Sequence, residues 1–363
     1  MPVSIKFYPA GCGDAIRIMF WEDGQPPKNI FIDSGYKATF LTYIKADIFT
    51  DFSSEEKINL WVITHMDEDH INGIIVFLSM LKQIEKPEMI EELWFNCFER
   101  LNLPDNSSGK SGIKNAIKVR EFLTEENFSA KVIDQLTSKV EPVKIGNAQL
   151  TVLSPDIEGY TALAGHWAQL EEYYWENENK SKSADEDEFP ADDAIIIEEL
   201  ASRKYFKEDE NDVANRTSIA FLFEHPEISV LFLGDAHPSL VVSAIEQLNK
   251  SRGEKLNVDY IKLSHHGSRK NFHHSLLDVV DCNRFIISSC GDNCDGLPNK
   301  ETFARILSRT DKEKKIYFYF NYDTARFRKM FEVDAKELNM YNFECVFPEA
   351  ENATLYIERG TDG

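Results

Sequence analysis

Apolar and polar residues alternate from the start of the chain. Val3-Ser4-Ile5-Lys6-Phe7-Tyr8 puts every second side chain on an apolar face, which predicts a strand covered by a core on one side. A second apolar run, Ala15 to Phe20, follows the turn signal Gly11-Cys12-Gly13-Asp14, so the pair predicts a hairpin. Asn29 to Asp33 predicts a third strand, closed by Ser34-Gly35, and helical patterns come next. The largely apolar run Ile58-Asn59-Leu60-Trp61-Val62-Ile63 suits a buried strand, and Ile74 to Leu81 a buried helix. Residues 81 to 140 predict helices, a short strand over Leu93 to Cys97 and a polar loop around Asn106-Ser107-Ser108-Gly109. Leu150 to Leu153 predicts a strand closed by Ser154-Pro155.

The pattern then breaks. Residues 156 to 214 are of different character, and Glu171 to Asp193 is rich in Glu, Asp, Asn, Lys and Ser without apolar periodicity. Such a stretch predicts an exposed, partly mobile acidic insertion, a solvated face or a docking segment for a protein partner. Regular pattern resumes with strands over Ser218 to Glu224, Ile228 to Leu233 and Val258 to Leu263. Helices over Ser239 to Gln247, Ser275 to Val280 and Lys300 to Ser308 alternate with strands over Arg284 to Ser288, Lys315 to Asn321 and Ala353 to Glu358. Strands alternate with helices and polar residues recur at strand ends. That predicts an α/β layered architecture with a site along one sheet rim.

Composition narrows the function. The net charge of -22 argues against a broadly basic nucleic-acid surface, although bound cations would reverse the sign locally. No apolar run reaches the roughly 20 residues of a membrane span, and no signal peptide precedes the first strand, so a cytoplasmic protein without membrane contact is expected. The cysteines Cys12, Cys97, Cys282, Cys290, Cys294 and Cys345 form no framework, and reduced thiols are expected. Cys290 and Cys294 have a spacing permitted at a zinc site, but no second pair accompanies them.

Chemistry concentrates in Thr64-His65-Met66-Asp67-Glu68-Asp69-His70, between a predicted strand and a predicted helix. His65, Asp67, Asp69 and His70 are imidazoles and carboxylates at a density suited to divalent ions. The plainer reading is a polar loop with an Asp capping the helix. Two more strand ends carry the same residue types: Gly234-Asp235, and Ser264-His265-His266-Gly267-Ser268.

In this order the motifs resemble the metallo-β-lactamase fold, in its ComEC-like branch, named for the soluble domain of a DNA-uptake channel protein. Gly13-Asp14-Ala15-Ile16, Ile32-Asp33-Ser34-Gly35, Asn215-Arg216-Thr217-Ser218-Ile219 and Lys262-Leu263 extend the resemblance nearly end to end, with residues 81 to 214 lacking clear matches. It implies one domain over residues 1 to 363, an αββα sandwich with a helical and acidic insertion and metals at one edge. It further implies two divalent ions, zinc or manganese, that activate water and clamp a phosphate. His65 and Asp67 would serve one ion, Asp69 and His70 the other, and Asp235 would bridge. One of His265 and His266 would complete the second set and the other would act as general acid or phosphate contact. His265 is taken as ligand, and His266 joins Asp69 as catalytic candidate, although the sequence leaves the two histidines interchangeable. Ser268, Arg269 and Lys270 are candidate phosphate contacts or a solvated basic turn, and Asp33 a candidate orienting acceptor or a turn cap. The superfamily's third histidine at the first site has no counterpart. Asn215 falls near its place, with His166 and His225 as other candidates. The implied activity is a metal-dependent phosphodiesterase, foremost a nuclease. Alternatives are a hydrolase of a small phosphodiester or ester, and a partner-regulated effector of antiphage defence.

Overall fold

A computed structural model of the chain describes residues 2–50, 52, 56–84, 87–96, 111–125, 128–161, 192–209, 212–291, 296–336, 338–349 and 354–360. The first sheet contains β1 (Val3–Phe7), β2 (Ala15–Phe20), β3 (Lys28–Asp33), β4 (Leu60–Val62), β5 (Glu92–Trp94) and β6 (Lys131–Ile133). The second begins with β7 (Val143–Ile145), β8 (Ala148–Ser154), β9 (Ala220–His225) and β10 (Ile228–Phe232). Next in the chain are β11 (Leu256–Asn257), β12 (Tyr260–Lys262), β13 (Val280–Asp281), β14 (Arg284–Ile287), β15 (Ile316–Phe320), β16 (Phe343–Val346) and β17 (Leu355–Arg359). The orders are β17-β1-β2-β3-β4-β5-β6 and β16-β15-β14-β12-β10-β9-β8-β7, with β11 and β13 paired as a separate ribbon.

Strand alternation builds three apolar layers. Val3, Ile5, Phe7, Ile30 and Ile32 of the first sheet meet Leu150, Phe221, Phe223, Val230 and Phe232 of the second in the central layer. The opposite faces turn outward. Phe31 and Trp61 pack under α1 (Glu68–Ile84) and α2 (Ser111–Leu123) through Ile74, Phe77 and Val119. Leu222, Leu231, Ile261 and Phe285 pack under α3 (Pro238–Arg252) and α4 (Lys300–Arg309) through Val241, Ile245, Phe303 and Ile306. The architecture is the expected αββα sandwich. No helix among the described residues is long and apolar enough to cross a membrane.

Each sheet is antiparallel on one side and parallel on the other. β3, β4, β5 and β6 run parallel, as do β10, β12, β14, β15 and β16. Parallel strands align their carboxyl ends, and loops leaving those ends are where α/β folds place ligands. Asp33, Thr64, Asp235, His265 and Ser288 all lie at or just beyond such ends.

Two expectations change. Most of the acidic insertion, 162–191 with 210 and 211, lies outside the described residues. Residues 192–209, which follow in the same break of pattern, are not uniformly exposed. Ile197 and Leu200 are fully buried, and Asp192 accepts hydrogen bonds from the Lys300 and Glu301 amides at 2.9 Å each, capping α4. The apolar pair of a single helical turn was too short to show periodicity. Cys12 is disulfide-bonded, whereas Cys282, Cys290 and Cys345 are not. The cysteines are therefore not all reduced.

Phe221 is fully buried in the central layer, 5.4 Å from the Phe232 ring and 6.4 Å from that of Trp94. Replacing it with alanine leaves a cavity between two sheets that cannot collapse independently. F221A should lower the unfolding free energy by about 3–5 kcal/mol, read from chemical denaturation.

Candidate metal centre

Each ligand-type side chain is delivered by a strand end. Thr64 and His65 follow β4, and Asp69 and His70 occupy the first turn of α1. Asp235 follows β10, and His265 and His266 follow β12. Gly13 lets the β1–β2 turn approach closely, since a Cβ there would lie 1.7 Å from the Asp69 carbonyl oxygen.

The side chains converge on Asp235. Its Oδ2 lies 3.7 Å from His65 Nε2, 3.6 Å from His70 Nε2, 3.8 Å from His265 Nε2 and 3.5 Å from His266 Nε2. His65 Nε2 is 3.6 Å from Asp67 Oδ2. Asp69 Oδ2 is 3.7 Å from His70 Nε2 and 3.6 Å from His266 Nε2. These separations exceed the roughly 2.7–3.2 Å of a hydrogen bond. Two ligands on one cation at about 2.1 Å each lie about 3.0–3.5 Å apart, within a few tenths of an ångström of the observed values. Nε2 of His65, His70 and His266, Oδ1 of Asp235 and Oδ1 of Asp14 are buried without a hydrogen-bond partner. Buried polar atoms are nearly always partnered, so several orphans facing one space are the mark of a cation site. The donor set of imidazole and carboxylate fits zinc or manganese.

The far side of each ring fixes which nitrogen faces the cluster. His266 Nδ1 donates to the Ser288 carbonyl at 3.0 Å, and His70 Nδ1 to Asp33 Oδ2 at 2.8 Å. Thr64 Oγ1 gives its proton to Asp33 Oδ2 at 2.7 Å, so His65 Nδ1, 3.0 Å away, donates to that hydroxyl. Asn271 Nδ2 donates to the Asp235 carbonyl, which turns Asn271 Oδ1 to accept from His265 Nδ1 at 3.0 Å. Every Nε2 is left facing the cluster, and those of His65, His70 and His266 are the buried atoms free to ligate. Asp33 thus accepts from both the His70 ring and the Thr64 hydroxyl, and it also accepts from the Thr64 amide at 2.8 Å.

The β12 loop is strained. His265 and His266 have φ of 46° and 55°, in the left-handed region costly for residues with a Cβ. α4 holds it: Thr302 Oγ1 donates to the Gly267 carbonyl at 2.8 Å, and Arg305 Nη1 to the Arg269 carbonyl at 3.0 Å.

The geometry corrects several sequence readings. His266 is almost fully buried and faces both Asp69 and Asp235, whereas the His265 side chain is 31% exposed at the rim. The two histidines are thus distinguished by position, His266 inside the cluster and His265 at its rim. Arg269 is buried, 3.6 Å from Glu301 and 3.9 Å from Asp192, and so is not part of a solvated turn. Ser268 is also buried, its Oγ accepting from the Lys270 amide; only Lys270 is exposed. His225 packs its ring 5.2 Å from Phe20, away from the cluster, and His166 lies outside the described residues. Asn215 donates through Nδ2 to Asp212 at 2.8 Å, and its buried Oδ1 has no partner. Asp14 and Lys262 were not singled out as site residues. Asp14 sits 3.7 Å from His266 Nδ1 and forms a buried ion pair with Lys262. Their signals were present: an acid after a double-glycine turn, and a lysine inside the apolar run of β12.

No family model matches this chain, and no curated protein matches it. Among solved structures it is similar to CmlA, a diiron beta-hydroxylase from Streptomyces venezuelae, at 12% identity and a TM-score of 0.38, over 98% of this chain and 54% of that one. The chain thus spans about half the length of CmlA. It is similar to unliganded yeast PDE1 at 10% identity and a TM-score of 0.47, over 98% and 99% of the two chains. It is also similar to a metallo-beta-lactamase from Staphylococcus aureus subsp. aureus COL at 12% identity and a TM-score of 0.30, over 95% and 97%.

Protons compete with cations for this cluster. Burial opposes charge on His70, but Asp235, Asp69 and Asp33 outweigh it and hold its pKa well above the ordinary value. Burial and His70 likewise oppose charge on His65, and Asp67 and Asp235 raise it. A raised pKa keeps the imidazole protonated to higher pH, and a cation must displace that proton. Divalent-ion affinity should therefore rise with pH through neutrality, with proton release on binding. Calorimetry in buffers of different ionisation enthalpy reads this directly, and equal heats in all buffers would contradict it.

Proposed function

We propose that the chain is a divalent-metal-dependent hydrolase of phosphodiesters, acting on nucleic acid. The observation that carries this reading is the convergence of three orphaned Nε2 atoms and two flanking carboxylates on one buried aspartate. One cation would be held by His65, Asp67 and Asp235, and a second by Asp69, His70, His266 and Asp235. Bound there, a pair of cations supplies Lewis acidity and an acidified water, which suits in-line attack on a diester.

The chain's own residues have separate tasks in this scheme. Asp33, Thr64 and Ser288 hold the imidazoles in the ligand tautomer. His265, at the rim and steadied by Asn271, is placed to give a proton to the departing oxygen. Lys262 balances the charge of Asp14 beneath the cluster. Fold-level likeness to other proteins assigns no substrate.

Hydrolysis of bis(p-nitrophenyl) phosphate, DNA and RNA with added manganese or zinc tests the reading. D69A and D235A should abolish turnover with an unchanged circular dichroism spectrum, and turnover as in the wild type would remove these carboxylates from the chemistry. D33N, which can no longer accept from His70, should cost about 10–100-fold in metal affinity or activity.

Metal choice follows from Asp67. Its side chain is 44% exposed and supplies oxygen where the superfamily implied by the sequence motifs has an imidazole. Oxygen donors favour harder ions. Activity should respond to manganese at least as strongly as to zinc, and D67H should shift the preference towards zinc. Identical metal profiles for the two proteins would show that Asp67 does not set the choice.

A further inference from the structure

The loop between β14 and α4 grips the strained turn from both of its ends. At the β14 end, the Ser288 carbonyl accepts from His266 Nδ1 at 3.0 Å. The hydroxyl of the same serine donates to the Gly13 carbonyl at 3.0 Å, which ties this end to the β1–β2 turn. At the α4 end, Pro298 presses on Gly267, where a Cβ would lie 2.8 Å from Pro298 Cβ. The Asn299 amide donates to the Gly267 carbonyl at 3.2 Å, and Asn299 Oδ1 accepts from the Arg269 amide at 2.9 Å. The ring of His266 is therefore held by one end of the loop and its backbone by the other.

Arg326 joins the two ends. Its Nη1 donates to the Gly291 carbonyl at 2.9 Å and to the Leu297 carbonyl at 3.0 Å, so one nitrogen bridges them. Nη2 donates to the carbonyls of Gly296 at 2.8 Å and Pro298 at 3.0 Å. Inward-turned carbonyls each need a donor, and one planar guanidinium supplies several in a fixed geometry. Asp193 orients that guanidinium from its far side, accepting from Nε at 2.8 Å and from Nη2 at 3.3 Å. The Arg326 side chain is 16% exposed and that of Asp193 23%. Asp192 caps α4, so two adjacent acids support the same turn by different routes.

We propose that Arg326, oriented by Asp193, is a positioning residue for His266 and so sets the affinity for the second cation. The inference rests on the reading of the cluster as a two-cation centre. Arg326 acts through the loop ends, by way of the Ser288 carbonyl and Gly267. His266 has a left-handed φ of 55°, a conformation that persists where its surroundings enforce it. Without the guanidinium the loop ends separate, and His266 moves away from Asp69 and Asp235. His65 is held from the other sheet, by Thr64 and Asp33, so the cation on that side keeps its support.

The test is calorimetric titration of the metal-free full chain with manganese, with R326Q, D193N, H266A and H65A run in parallel. H266A and H65A show which binding step belongs to which ion. R326Q should weaken the step lost in H266A by about 10- to 100-fold, the cost of losing an outer partner of a metal ligand, and leave the step lost in H65A unchanged. D193N, at the outer end of the network, should weaken the same step by less. Affinities in R326Q equal to the wild type would overturn the inference. So would an equal loss in both steps, which would mark a general contribution to stability. If R326Q does not fold, D193N decides, since an unchanged affinity at the H266A step overturns the inference and a loss confined to that step supports it. A wild type that takes up no ion would overturn the metal-centre reading and this inference together. A wild type with two ions, one of them lost in H266A, beside an R326Q that matches it would overturn this inference alone.

Discussion

A buried carboxylate ringed by imidazoles constrains the rest of this molecule. Asp235 is 3% exposed, and Nε2 atoms of four histidines face its Oδ2 at 3.5–3.8 Å. Burial raises the cost of its charge, and His266, His70 and His265 outweigh that cost and hold its pKa well below the usual carboxylate range. Such a cluster is expensive to assemble without a cation. Nothing in the apolar layers requires it, and each surrounding device serves to keep it in place.

Those devices reach through both sheets. Parallel strands bring β3, β4, β10, β12 and β14 to one rim, so each contributes at its carboxyl end. Asp33 joins the His65 and His70 loops through Thr64. Asn271 ties the Asp235 carbonyl to His265. Asp192 caps α4, and α4 in turn clamps the strained turn that presents His266. The acid 74 residues before His266 in sequence thereby reaches the centre through one helix.

Local pattern made the layered α/β architecture and the main cluster legible, and the sandwich followed from the resemblance that the motifs carry. Val3 to Phe7 announces a strand by alternation and Ser218 to Glu224 by a run of apolar residues, and the His65 to His70 loop announces ligands within one turn. Short edges do not show. Lys131–Ile133, Val143–Ile145 and Phe343–Val346 are three or four residues each, and pairing with a neighbouring strand defines them. Adjacent histidines are equivalent in sequence, and only the left-handed turn at His265 and His266 sends one inward and the other to the rim. Arg269 looked like a free cation because its acidic partners, Asp192 and Glu301, lie far along the chain.

The central claim is that the ring around Asp235 exists to hold cations. Elemental analysis of the purified protein after divalent-ion loading and exhaustive dialysis tests it most directly, with D235A treated in parallel. The account predicts about two ions per chain in the wild type and a clear loss in D235A. A wild-type protein that retains no divalent metal under these conditions would contradict it.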